Sequence, residues 1–99
     1  MRAPTTTAPV VDAVAGVEQE LRGEIAATLG RVGETAQRRL EELRAAPADA
    51  ADRGRLVQAA ADAVQAYFVQ RELIGLRNHT SAIRDYDISS EVLARMGVR

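Results

Sequence analysis

From Val10 onward an apolar residue returns at every third or fourth position: Val14, Val17, Leu21, Ile25, Leu29, Val32, Ala36, Leu40 and Leu43. A mean spacing of about 3.6 residues places these side chains on one stripe of a single long α-helix. The steps mix threes with a majority of fours, which is nearer an eleven-residue period than a heptad. A straight or faintly right-handed packing partner suits the stripe better than a left-handed coiled coil. Gly16, Gly23, Gly30 and Gly33 lie within this pattern; each weakens an exposed helix by up to ~1 kcal/mol, and a bend is expected near Gly30–Gly33.

The stripe stops at AAPADAAD, where Pro47 cannot continue the helix and Asp49 is the expected N-cap of a second one. That second helix is expected from about Ala50 towards Tyr86, with Leu56, Val57, Ala60, Val64, Tyr67, Phe68 and Ile74 on one face. So short a connection makes the two helices antiparallel neighbours of similar length, each about 50 Å long. Residue numbers facing each other across the hairpin then sum to about 95, placing Arg71 near Glu24 and His79 near Gly16–Glu18. Val69, Leu73, Leu76 and Ile83 form a second apolar set on the opposite side of the second helix. The segment ISSEVLARMG reads as a short third helix, capped by Asp87, Ser89 or Ser90 and ended by Gly97. Its Val92, Leu93 and Met96 are expected to cover the second set, alone or together with a second copy of the chain.

The fold class is therefore all-α: an antiparallel hairpin of two long helices plus a short C-terminal helix, assembled as a dimeric four-helix bundle. Residues 1–9, with Pro4, Pro9 and three consecutive Thr, read as a flexible arm, and residues 10–99 as one helical domain. Self-association is expected because a chain of 99 residues buries a modest fraction of its surface. Much of its apolar share is Ala, and its aromatics are Tyr67, Phe68 and Tyr86 alone.

Composition removes whole classes of chemistry. Without Cys there is no disulfide, thiolate metal site or thiol nucleophile, and without Lys no Schiff base. A formal net charge of −1 steers neither nucleic acid nor an anionic membrane. No secretory leader and no run of ~20 apolar residues is visible. The expectation is a cytoplasmic protein with no nucleic-acid or membrane partner and no cofactor.

The densest polar cluster is QRELIGLRNHTSAIRDYD, which contains the chain's one His. On an unbroken helix Glu72, Gly75 and His79 share a face, with Glu72 and His79 two turns apart, too sparse a set for a metal. An Arg at the core azimuth needs a carboxylate, so Arg71 is expected to pair with Glu24 or with an acid of a second subunit. No nucleophile–base arrangement is visible, and caps account better for Ser89 and Ser90. The candidate interaction or structural polar residues are Gln70, Arg71, Glu72, Arg77, His79, Tyr86, Glu91 and Arg95.

The stretch AYFVQRELIGLRNHTSAIRDYDISSEVLARMG is similar to the C-terminal signature of a family of small bacterial proteins catalogued as a domain of unknown function. That signature runs aromatic-aromatic-V-Q-R-E, then G-x-R, then I-x-x-Y-G-I-P-x-E-V-L-x-R-x-G. The matching residues are Phe68, Val69, Gln70, Arg71, Glu72, Gly75, Arg77, Ile83, Tyr86, Ile88, Glu91, Val92, Leu93, Arg95 and Gly97. Asp87 stands in place of Gly and Ser89 in place of Pro; Asp tolerates turn conformations and Ser suits a helix start. The resemblance implies no activity, and directs attention to Gln70–Arg77 and Tyr86–Gly97.

The expected function is a non-enzymatic helical interaction or scaffold protein acting as a homodimer. The alternative is a small regulatory binding module, antitoxin-like or an adaptor, that binds a protein partner. An enzyme or metal protein built on Arg71, Glu72 and His79 ranks last.

Overall fold

The computed structural model describes residues 7–97, with side chains from residue 13 onward. Residues 1–6, and with them most of the arm expected at 1–9, lie outside the described residues. Four helices follow one another: α1 (Thr7–Ala45), α2 (Arg53–Leu73), α3 (Thr80–Asp85) and α4 (Ser90–Arg95). No strand occurs among the described residues.

Helix α1 is uninterrupted through all four of its glycines. It starts before Val10, the expected boundary. Pro9 is compatible with this because it sits in the first turn, where a missing N–H costs no helical hydrogen bond. Two turns, Ala50 N–H to the Pro47 carbonyl and Arg53 N–H to that of Ala50 (both 3.1 Å), carry the chain into α2. The residue flanking α2 is Asp52 rather than Asp49, and its carboxylate goes to Arg55 at 2.8 Å instead of capping the backbone.

The two long helices pack as the antiparallel hairpin that the stripe predicts. Ala36, Leu40 and Leu43 of α1 meet Val57, Ala60, Ala61, Val64, Tyr67 and Phe68 of α2 in one buried core. Ala36, Ala60 and Ala61 are wholly buried, thin enough to let the backbones approach. The register is not the expected one. Gly33 lies against Tyr67, more than one helical turn away from the pairing that would set Arg71 beside Glu24.

The equal lengths are also overturned. With 39 residues against 21, α1 spans about 58 Å and α2 about 31 Å. Helix α2 ends because Gly75 takes φ +92°. Gly75 N–H reaches the Glu72 carbonyl (3.0 Å) and Leu76 N–H that of Arg71 (2.9 Å), the paired bonds of a Schellman cap. Leu73, Ile74, Leu76 and Ile83 keep a helical rhythm past the break, so periodicity alone carries the helix too far.

Helix α3 closes with the same bond pair: Asp87 N–H to the Arg84 carbonyl (3.1 Å) and Ile88 N–H to that of Ile83 (2.9 Å). Asp87 sits at φ +52°, where an L side chain is strained. Ser89 then caps α4, its hydroxyl accepting from Val92 N–H at 3.3 Å, and the wholly buried Val92 locks α4 onto the core.

Having reversed at residues 74–79, the chain runs back along α2, and α4 lies beside the beginning of that helix. Arg53 bonds Glu91 at 2.7 Å and Arg95 bonds Gln58 at 2.9 Å. The expectation that α4 covers Val69, Leu73 and Leu76 is therefore wrong: all three are exposed, and Ile83 is half-buried. The N-terminal part of α1 is bare as well, residues 13–24 being exposed throughout.

The two caps make opposite predictions. Gly75→Ala forces a Cβ into the left-handed region and lowers unfolding free energy by about 1–2 kcal/mol, whereas Asp87→Gly relieves that strain and raises it by up to ~1 kcal/mol. Urea denaturation of both variants reads the signs directly; equal signs would contradict the cap assignment.

Candidate functional site

Breaking α2 at Gly75 brings together residues that an unbroken helix would hold apart. Loop 74–79 returns His79 to the end of α2, where its ring stacks on Phe68 with centroids 4.0 Å apart and an interplanar angle of 2°. Asn78 supports the return, its side-chain oxygen accepting from Thr80 N–H at 2.9 Å, an Asx turn that leads into α3.

Arg71 does not pair with Glu24. Its Nε donates to His79 Nδ1 at 3.1 Å and its Nη2 to the Asn78 carbonyl at 3.2 Å. Because a guanidinium can only donate, Nδ1 is the accepting nitrogen, and Nε2 carries the ring proton towards Glu72 Oε2, 2.9 Å away. The chain Arg71–His79–Glu72 is thereby fixed in one tautomer. Both ring nitrogens are engaged, which leaves no lone pair aimed at a substrate proton or a metal. Among the described residues no three His, Cys, Asp or Glu converge to hold a metal ion.

The aromatic residues extend this cluster. The Arg71 guanidinium lies 5.7 Å from the Tyr67 ring centroid, and the Tyr67 and Tyr86 rings are 5.3 Å apart. Both tyrosines lie against α1 at Gly33, where an added Cβ would come within 3.2 Å of Tyr67 and 3.3 Å of the Tyr86 hydroxyl. A side chain there would push both rings back by a few tenths of an ångström, so the glycine eases that approach. The Tyr86 pKa is pushed up to about 12, first by its hydrogen bond with Tyr67 and then by burial. Arg44 of α1 donates to the Tyr86 carbonyl at 2.8 Å and so covers the end of α3.

The eight candidate residues thus divide. Arg71, Glu72, His79 and Tyr86 converge around Tyr67 and Phe68. Glu91 and Arg95 belong to a separate clip that fastens α4 to Arg53 and Gln58. Gln70 is half-buried and Arg77 exposed. The sequence reading missed Gly33, Arg44 and Asn78. Asn78 alone left a signal, since Gly followed within a few residues by Asn and Thr marks a helix stop and restart.

Arg71→Met strips His79 Nδ1 of its donor and is expected to lower unfolding free energy by about 1–2 kcal/mol; an unchanged thermal midpoint would mean the relay is not structural. Tyr86 holds its proton more tightly when folded. Its contribution to stability is present below pH ~10 and is lost as the pH rises through about 12. In Tyr67→Phe, ultraviolet titration of the remaining tyrosine should move back towards 10.

No curated protein and no solved structure is similar enough to the chain to count as a match. A family model does match, over residues 7–99, which extends the likeness from the C-terminal third to all of α1. The chain belongs to that family, described as a family of unknown function (DUF6665).

Proposed function

We propose that this protein is a non-enzymatic helical interaction or scaffold protein that works as a cytoplasmic homodimer. The observation that carries this reading is the contrast between its polar and apolar surfaces. The polar cluster spends its hydrogen bonds internally, on Arg71, His79, Glu72 and Asn78. Large aliphatic side chains on α1 and at the end of α2 stand in water. Exposed aliphatic groups of this extent are what association surfaces are made of. The described residues include no helix long and apolar enough to cross a membrane.

A second reading, a regulatory module of the antitoxin or adaptor kind, has one observation in its favour. Glu18, Glu20 and Glu24 lie along the bare part of α1, and an acidic flank beside an apolar stripe suits a basic amphipathic helix of another protein. Sedimentation equilibrium over a wide concentration range separates the two. The homodimer reading expects twice the mass of one chain, falling to the monomer on dilution. A monomer at every concentration, together with a stoichiometric complex isolated from the native cell, would replace it with the second.

A further inference from the structure

We propose that His79 changes partner with its protonation state, held by Arg71 while the ring is neutral and by Glu72 once it is charged, so that loop 74–79 stays fastened to α2 in both. The exchange takes place within one chain, whatever that chain assembles with.

Three groups of α2 surround the ring, and each responds differently to charge on it. Phe68 lies flat against it, with centroids 4.0 Å apart and 2° between the planes, and an aromatic face accepts a neutral ring or a cation. Arg71 Nε, 3.1 Å from Nδ1, bonds the ring only while that nitrogen keeps its lone pair. Glu72 Oε2, 2.9 Å from Nε2, accepts from the ring in either state and gains a charge–charge attraction in the second. A second ring proton sets two N–H donors, both on cations, face to face across the 3.1 Å between Arg71 and His79.

Arg71 then loses more than one bond. Its Nε and Nη2 form one edge of a rigid planar guanidinium, and that edge grips His79 and the Asn78 carbonyl together. Moving Nε away from Nδ1 carries Nη2 with it, so both bonds to the loop weaken at once. Glu72 replaces them only in part. Its side chain is 51% exposed against 13% for His79, and an ion pair open to water is weak. Protonation thus trades a stronger fastening for a weaker one.

Charges on the other elements have partners of their own. On α3, Arg84 and Asp85 bond each other at 3.4 Å. On α1, Arg44 is spent on the Tyr86 carbonyl, and on α4 Glu91 bonds Arg53 at the other end of α2. Tyr86, raised to about 12, stays neutral in the range where histidines change charge. With Arg71 removed, the partner that remains holds the ring better as acid charges it. With the Glu72 charge removed, the partner that remains holds it worse.

His79 is the one histidine of the chain, so its ring signals in nuclear magnetic resonance can be followed from roughly pH 8 to 5 without ambiguity. The state of the loop is read from hydrogen-exchange protection of the Thr80 and Ile83 amides, which donate to the Asn78 side chain and the His79 carbonyl. Protection is corrected for the intrinsic pH dependence of exchange and taken relative to Val64 in the core of α2. As the ring charges, it falls about 10-fold or more in Glu72→Gln and rises a few-fold in Arg71→Met. The unaltered chain lies between the two, and its Arg71 Nε–H opens to exchange. Changes of the same sign in both variants, an Arg71 Nε–H still protected beside a charged ring, or a neutral ring with its proton on Nδ1 would each overturn the exchange. If Arg71→Met does not fold, Glu72→Gln and the Arg71 signal of the unaltered chain still decide.

Discussion

The end of α2 controls what every later residue touches. Gly75 at φ +92° lets two backbone N–H groups turn back onto the Arg71 and Glu72 carbonyls, so the last turn is satisfied and the chain is free to reverse. Three features depend on that reversal. His79 returns to stack on Phe68, α4 is delivered beside the first half of α2, and α1 is left longer than its partner. Were α2 to continue to Tyr86, the Arg71–His79–Glu72 chain could not close, because residues 72 and 79 of an unbroken helix stand about 10 Å apart along the axis.

The polar cluster is best understood as the fastening of that reversal. Arg71 has donors in several directions, and the structure uses them on a ring nitrogen and a loop carbonyl while its guanidinium covers the Tyr67 ring. Groups that resemble a catalytic set by residue type are thus consumed in holding loop 74–79 against α2. The clip at the other end, Arg53 with Glu91 and Arg95 with Gln58, is only partly buried and adds alignment more than stability. Burial of Val92 between α2 and the returning chain holds α4 in place.

Much of the fold was legible in the residues themselves. The 3.6-residue rhythm of α1 and the breaker at Pro47 act through local backbone chemistry and appear in the structure as the sequence implies, and of the three caps it offered for the last helix, Asp87, Ser89 and Ser90, the structure uses Ser89. The α2 boundary was not, because Leu73, Ile74, Leu76 and Ile83 sustain an apolar rhythm across Gly75, and a single glycine is tolerated in many helices. Of the candidate site, the sequence singled out Arg71, Glu72, His79 and Tyr86 but misjudged their relation. It paired Arg71 with Glu24 through a register it had no means to measure.

Sequence alone determined that the fold is all-helical, which side of α1 is apolar, and which chemistries are absent for want of Cys and Lys. These follow from properties of single residues and their spacing, which need no knowledge of the rest of the chain. Only the tertiary structure decided the register of α1 on α2, the side of α2 that receives α4, and the partners of Arg71 and His79. Those depend on how Gly33 admits Tyr67 and Tyr86, and on where the backbone turns at Gly75. Contacts between residues dozens of positions apart are selected by packing, and packing is a property of the whole chain.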